Sequence, residues 1–152
     1  MGTYLSTPVK DKCEESGDHL ECPQVPCRWG VVDMQGWRKN MEDAHVAATD
    51  IPMPKYMNKT DSEAPAEKIG DAKVFGVFDG HGGPEVARFC SLYLISVLTQ
   101  QSAWQSENEE ISSPNENGSS ADPTNPATHG VGKALVTAFH AIDRMIDDPA
   151  NR

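Results

Sequence analysis

The residues most able to do chemistry follow a short apolar run. Asp79, Gly80 and His81 come directly after residues 73–78, Lys-Val-Phe-Gly-Val-Phe, a pattern typical of a strand covered on both faces. Asp79 offers oxygen ligands for a hard cation, and Gly80 leaves its backbone carbonyl accessible because it has no Cβ. His81 can donate a proton near neutral pH. The segment therefore predicts a metal or acid–base site, and a tight turn with a solvated Asp and His is the alternative.

A second group of charged residues lies upstream, at Arg38, Glu42 and Asp43. The planar guanidinium of Arg38 suits a phosphate group. Successive strand residues point to opposite faces, so Glu42 and Asp43 cannot both bind one ion directly from a regular strand. One of them would then bind the ion through a water molecule, or would hydrogen-bond to a residue that binds the ion directly. Arg38 and Glu42 would lie on the same face of a regular strand. An exposed, charged strand is the alternative interpretation.

The amino terminus carries a third motif. Met-Gly-Thr-Tyr-Leu-Ser matches the N-myristoylation pattern, with Gly2 exposed after removal of Met1 and with Ser6 in place. One myristoyl chain gives only marginal membrane binding, and neighbouring acids largely cancel the charges of Lys10 and Lys12. We therefore expect weak, reversible membrane contact.

Strands and an extended arm are predicted to position these groups. Residues 1–27 are polar and interrupted by three prolines, so they indicate an extended amino-terminal arm rather than a packed unit. Residues 28–34 and 37–50 have strand composition and are predicted to pair as a hairpin. Gln35 and Gly36 between them indicate a turn or a bulge.

Two helices are predicted after the Asp-Gly-His turn. Apolar residues recur at helical spacing over residues 85–101 and 131–147, and Pro84 stands at a favourable first helical position. Residues 105–130 contain five acidic residues, three prolines and no Lys or Arg. Such a segment cannot bury enough apolar area to offset its ordering entropy, so a disordered acidic insert is predicted there.

The overall charge limits the class of partner. The chain has 152 residues, with 13 Lys and Arg against 23 Asp and Glu, and a formal net charge of −10. A nucleic-acid binder needs a basic face, so this class is excluded, whereas divalent cations fit the charge.

The four cysteines lack metal-binding spacing and are expected to be free thiols. No run approaches the ~18 apolar residues of a membrane span and no signal peptide opens the chain, so we expect a cytoplasmic location, with the nucleus also open.

Three motifs together indicate a family. Met-Gln-Gly-Trp-Arg at residues 34–38, Met-Glu-Asp-Ala-His at 41–45 and Val-Phe-Asp-Gly-His-Gly-Gly at 77–83 resemble the first motifs of the PP2C-type metal-dependent protein serine/threonine phosphatases. The resemblance implies an α+β fold, an α/β/β/α sandwich of antiparallel sheets between helices. It further implies that the chain is an amino-terminal portion of that sandwich, with residues 28–152 forming a partial phosphatase domain.

The resemblance also implies a site for two Mg²⁺ or Mn²⁺ ions. Asp79 matches the aspartate that bridges the two ions, and Gly80 matches the glycine whose backbone carbonyl binds one of them. Glu42 matches an acid that contacts this ion directly or through water, and Asp43 matches the neighbouring acid.

The implied reaction is hydrolysis of phosphoserine and phosphothreonine in protein substrates. Arg38 matches the arginine that holds the substrate phosphate, and His81 matches the histidine that protonates the leaving oxygen. The family's later metal-binding aspartates have no counterpart after residue 83, so we expect the chain alone to have little or no activity. The alternative function is a non-catalytic relative that binds phosphoproteins or a regulatory partner through Arg38 and the acidic insert.

Overall fold

The computed structural model describes residues 4–22, 25–58, 71–106 and 130–149. Gly2 and most of the predicted acidic insert lie outside these described residues. The described ranges contain four strands, three α-helices and one short 3₁₀-helix. In chain order these are β1 (Tyr4–His19), β2 (Cys27–Arg38), β3 (Ala44–Ile51), the 3₁₀-helix (Lys55–Asn58), β4 (Ala72–Phe78), α1 (Glu85–Thr99), α2 (Ser102–Gln105) and α3 (Gly130–Asp147).

The apolar strand and both predicted helices form close to the expected positions. β4 covers the apolar run, and α3 covers residues 131–147. The Pro84 carbonyl accepts the Arg88 N–H at 2.9 Å, so helical hydrogen bonding starts at this proline. The first predicted helix ends at Thr99, earlier than expected, and α2 follows as a separate turn. The 3.6-residue periodicity was thus a reliable guide to these elements.

β1 and β2 form the first sheet. They pair antiparallel from Tyr4 opposite Arg38 to His19 opposite Cys27, with irregularities on either side of Val9. The segment interpreted as an arm is therefore extended, but its described part is hydrogen-bonded to β2. Most β1 side chains stay exposed, so the strand has no apolar alternation by which the sequence could reveal its pairing.

β3 and β4 form the second sheet, which pairs antiparallel from Ala44 opposite Phe78 to Ile51 opposite Ala72. Val77 lies in the apolar run of β4 and is nevertheless 76% exposed. The run predicted a strand covered on both faces, and β4 is covered on one face over this part of its length.

The predicted hairpin between residues 28–34 and 37–50 is wrong. Residues 39–43 are not in a strand, and the strands on either side of them belong to different sheets. β2 pairs with β1, while β3 pairs with the apolar β4. Both β3 and β4 contact α1, so this pairing keeps β3 against the helices. Gly36, at φ 67°, lies inside β2 opposite Val9 as an irregularity, so the glycine marks a bulge and not a hairpin turn.

The helices cover one face of the second sheet. Leu98 of α1, Trp104 of α2 and Ala138 of α3 are buried in one cluster with Ile51 of β3. The indole Nε1–H of Trp104 donates to the Pro52 carbonyl oxygen at 3.0 Å, so its polar group is satisfied inside the core. The main core therefore lies between the helices and the β3–β4 sheet.

The first sheet faces the other side of the second sheet. The Trp29 ring on β2 lies 6.1 Å, centroid to centroid, from the Phe75 ring on β4. His45 on β3 reaches both strands of the first sheet, with Nε2 2.9 Å from a Glu15 carboxylate oxygen and Nδ1 3.6 Å from one of Asp33. The layers are therefore helices, sheet and sheet, which confirms the predicted α+β fold class.

No helix in the described part of the chain is both long enough and apolar enough to cross a membrane.

Candidate active site

Two segments that carry predicted site residues leave the second sheet at the same end. Phe78 ends β4 opposite Ala44, which begins β3. Asp79 therefore directly follows β4 at the same end of the sheet at which Asp43 directly precedes β3. Antiparallel partners meet at a shared sheet end, so the register brings the two segments together.

Gly80 is buried against the backbone of Glu42. A Cβ at position 80 would overlap the Glu42 carbonyl oxygen and would lie 3.0 Å from its carbonyl carbon. Only glycine permits so close an approach. The contact holds Asp79 beside the segment of Glu42, and Gly82, at φ 81°, then turns the chain towards α1.

Glu42 and Asp43 lie in the irregular segment between β2 and β3, so the alternation of a regular strand does not separate their side chains. Arg38 and Glu42 do come together, with guanidinium Nη2 3.9 Å from carboxylate Oε2. The Arg38 side chain is 65% exposed, whereas the Glu42 side chain is 19% exposed. Such a loose, partly exposed ion pair is weak, and it leaves most guanidinium donors available for a ligand.

Gln35 holds the turn that carries Arg38. Its side-chain Nε2 donates to the Arg38 carbonyl oxygen at 2.9 Å and to the Lys39 carbonyl oxygen at 2.8 Å. Sequence reasoning did not identify Gln35 as a site residue. Its position beside Gly36, in the motif that contains Arg38, is the signal that could have revealed it.

A cleft of about 230 Å³ brings the charged residues together. Four of the predicted site residues line it, together with polar and methionine side chains from residues 34–41. The lining residues are Met34, Gln35, Arg38, Asn40, Met41, Glu42, Asp43 and Asp79. Neither Gly80 nor His81 lines the cleft, since Gly80 is buried against Glu42 and His81 is exposed on the following turn.

The acids of the cleft suit a hard divalent cation. Glu42, Asp43 and Asp79 offer carboxylate oxygens, which Mg²⁺ and Mn²⁺ prefer. Among the described residues, these three do not form a group whose ligand atoms all lie within 4.8 Å of one another. Mg²⁺ binds through one or two carboxylates and keeps several waters, so the more open arrangement still fits it.

Comparisons with known proteins find related phosphatase sequences. A family model described as Protein phosphatase 2C matches residues 27–145. Protein phosphatase 1G of Rattus norvegicus is 40% identical over 105 residues, which are 69% of this chain and 16% of that protein. Probable protein phosphatase 2C 11 of Oryza sativa subsp. japonica is 41% identical over 104 residues, 68% of this chain and 23% of that protein. Probable protein phosphatase 2C 60 of Arabidopsis thaliana is 36% identical over 146 residues, 96% of this chain and 29% of that protein.

This chain spans between 16% and 29% of the length of these relatives. The matched residues 27–145 are most of the chain, and they include the three motifs and every residue of the cleft. The chain therefore belongs to the protein phosphatase 2C family.

Proposed function

We propose that this chain contributes the cleft at which a metal-dependent protein serine/threonine phosphatase hydrolyses phosphoserine and phosphothreonine in protein substrates. The observation that carries the proposal is the meeting of Arg38 with Glu42, Asp43 and Asp79 in one cleft. A guanidinium for the phosphate, placed beside carboxylates for divalent cations, is the combination that metal-assisted phosphate hydrolysis needs.

Arg38 binds and orients the substrate phosphate. Its exposed guanidinium can make two parallel N–H···O bonds to phosphate oxygens, which fix the phosphate and neutralise part of its charge. Gln35 keeps the backbone of Arg38 in place through its hydrogen bonds to two consecutive carbonyls. The phosphate therefore meets an arginine whose backbone is already positioned.

Asp79, Glu42, Asp43 and the backbone carbonyl of Gly80 would hold Mg²⁺ or Mn²⁺. Such ions, when bound, supply a water of lowered pKa and polarise phosphoryl oxygens. The tight contact of Gly80 with Glu42 keeps the acids of the two segments at one end of the sheet.

His81 donates a proton to the serine or threonine oxygen that leaves the phosphorus. The proton passes from a ring nitrogen to the leaving oxygen, and the imidazole becomes neutral. Because His81 is exposed on the turn after Asp79, the leaving side of the substrate would lie over that turn rather than inside the cleft.

A chimera tests this function. Residues 27–145 would replace the matching segment of rat protein phosphatase 1G, and hydrolysis of a phosphothreonine peptide would be followed with and without Mn²⁺. We expect Mn²⁺-dependent hydrolysis that Asp79→Asn abolishes and for which Arg38→Ala raises KM about 10- to 100-fold, since bonds to charged groups contribute about 1.5–3 kcal/mol. Asp143→Asn, which removes an exposed acid of α3, is the matched control and should leave the activity unchanged.

A folded chimera without Mn²⁺-dependent hydrolysis would overturn the catalytic proposal. If that chimera still bound the phosphopeptide through Arg38, the result would support the non-catalytic binding function instead.

We also propose reversible membrane contact, from the cytoplasmic side, through a myristoyl group on Gly2. The support is the amino-terminal motif, since Gly2 lies outside the described residues. Mass spectrometry of the amino-terminal peptide from a eukaryotic host tests this, and an unmodified Gly2 would contradict it.

A further inference from the structure

Three potential metal ligands meet at the end of the sheets that lies away from the candidate active site. His19 ends β1, Asp50 lies near the end of β3, and Asp71 directly precedes β4. One ligand atom from each residue lies within 4.8 Å of the other two. Within the described ranges, this is the one group of three or more His, Cys, Asp or Glu side chains that meets this limit.

The register of the second sheet explains why the two aspartates meet. Ile51 of β3 lies opposite Ala72 of β4 in an antiparallel pair, with an irregularity between Ala48 and Ile51. Asp50 lies one residue inside this last pair and Asp71 one residue outside it, so both lie at the same end of the sheet. Asp79 follows the other end of β4. That strand has seven residues, so its first and last residues are six steps of ~3.3 Å apart, or about 20 Å. The cluster is therefore distinct from the cleft that contains Arg38.

The histidine ring is held in place by the backbone of β3. His19 Nδ1–H donates to the Thr49 carbonyl oxygen at 3.0 Å, and Nδ1 lies 3.4 Å from Asp50 Oδ1. The His19 side chain is only 18% exposed, whereas that of Asp50 is 84% exposed. With Nδ1–H held by this carbonyl, Nε2 carries the lone pair that a metal would take. Such a hydrogen bond is the usual support of a metal-binding histidine, because it fixes the orientation and the tautomer of the ring.

The donor set selects the class of metal. One imidazole nitrogen and two carboxylate oxygens suit a borderline cation such as Zn²⁺ better than Mg²⁺, which prefers oxygen ligands throughout. Three protein ligands leave one position of a tetrahedral zinc ion for water. Two carboxylates with a neutral imidazole would also balance the charge of a divalent ion.

We propose that His19, Asp50 and Asp71 form a zinc site that links the two sheets. The ligands come from β1 of the first sheet and from β3 and the start of β4 in the second sheet. An ion bound by all three would fix the end of β1 to the second sheet and stabilise the folded chain in proportion to its occupancy. None of these residues belongs to the metal set of the phosphatase cleft, so the proposal is independent of the proposed function.

The experiment is a Zn²⁺ titration of the purified 152-residue chain, followed by calorimetry and by the NMR signals of the histidine rings. A phosphine reductant would keep the thiols reduced without a competing thiol. The test variants are His19→Gln and Asp71→Asn. The matched controls are Asp18→Asn, which removes the same charge from an exposed neighbour of His19, and His140→Gln on the exposed face of α3.

We expect the His19 ring signals to shift with Zn²⁺ and to saturate. Each test variant should weaken this binding at least about tenfold, and each control should change it less than about twofold. Zinc held by thiols or by the acids of the cleft would leave the His19 signals in place, so the ring reports this site alone. The proposal is overturned if the His19 signals do not respond, or if His19→Gln and Asp71→Asn bind as tightly as the controls. Circular dichroism of each variant would show that a loss of binding does not come from a loss of fold.

Discussion

Gly80 packs against the backbone carbonyl of Glu42 so closely that no side chain fits at position 80. This contact joins the residue after β4 to the irregular segment after β2. The contact therefore holds together the two segments that line the cleft, and the position of Asp79 depends on this contact.

Gly80→Ala should destabilise the chain. The new Cβ would overlap the Glu42 carbonyl, so the backbone on one side must shift, at a cost of about 1–3 kcal/mol. Urea denaturation would measure the free energy of unfolding. Gly30→Ala is the matched control, because a Cβ there would lie 3.8 Å from its nearest neighbouring atom, the Glu15 carbonyl oxygen. Equal losses of stability in both variants would contradict the importance of the contact.

Gln35→Ala should weaken phosphate binding without removing any group that contacts the substrate. Its two hydrogen bonds hold the backbone of Arg38 and Lys39, and each contributes about 0.5–1.5 kcal/mol. In the chimera we expect KM for the phosphopeptide to rise about fivefold while kcat changes little. Gln100→Ala, at the exposed end of α1, should leave both constants unchanged. A kcat loss with unchanged KM would argue against a positioning role.

Trp104→Ala should be among the most destabilising changes in the chain. The residue is 3% exposed, and its loss leaves a large cavity and an unpaired Pro52 carbonyl. We expect a cost of about 3–5 kcal/mol in thermal or urea unfolding. Trp37→Ala removes the same side chain from a site that is 53% exposed, and it should change stability by only about 0.5 kcal/mol. Similar costs at both positions would show that the core does not depend on Trp104.

Cys90 should react slowly with alkylating reagents. Burial, and then the nearby carboxylate of Asp143, raises the pKa of the Cys90 thiol above its ordinary value. The reactive thiolate is therefore scarcer at neutral pH, and the rate should keep rising as the pH approaches that raised pKa. Mass spectrometry of iodoacetamide adducts over a pH series would compare Cys90 with the exposed Cys13. Asp143→Asn should lower the Cys90 pKa and speed its alkylation, and no change in that variant would refute the stated cause.

The isolated chain should hydrolyse phosphopeptides very slowly even with Mn²⁺. Glu42, Asp43 and Asp79 line one cleft. In the described part of the chain, however, their carboxylate oxygens do not all lie within 4.8 Å of one another, so they do not form a compact metal site. Assay of the purified chain beside the chimera tests this expectation. Robust Mn²⁺-dependent activity that is lost in Asp79→Asn would show that these acids suffice.

The sequence by itself was enough to identify the family, four of the residues that line the cleft and the two long helices. Asp79, Gly80 and His81 stand in one short motif, and Arg38, Glu42 and Asp43 stand close together in the preceding ones. Helical periodicity likewise depends on residues three or four positions apart. All of this information is local, so it can be read without knowing what lies beside each segment in space.

Only the tertiary structure decided which strands pair and which distant residues meet. β1 has few buried side chains, so no pattern in its sequence showed that it, and not β3, is the partner of β2. The contact of Gly80 with Glu42 and the cluster of His19, Asp50 and Asp71 arise from strand register across separate segments. The physical reason is that strand pairing is selected by the burial and hydrogen-bonding of segments far apart in the chain, whereas composition and spacing report only on near neighbours.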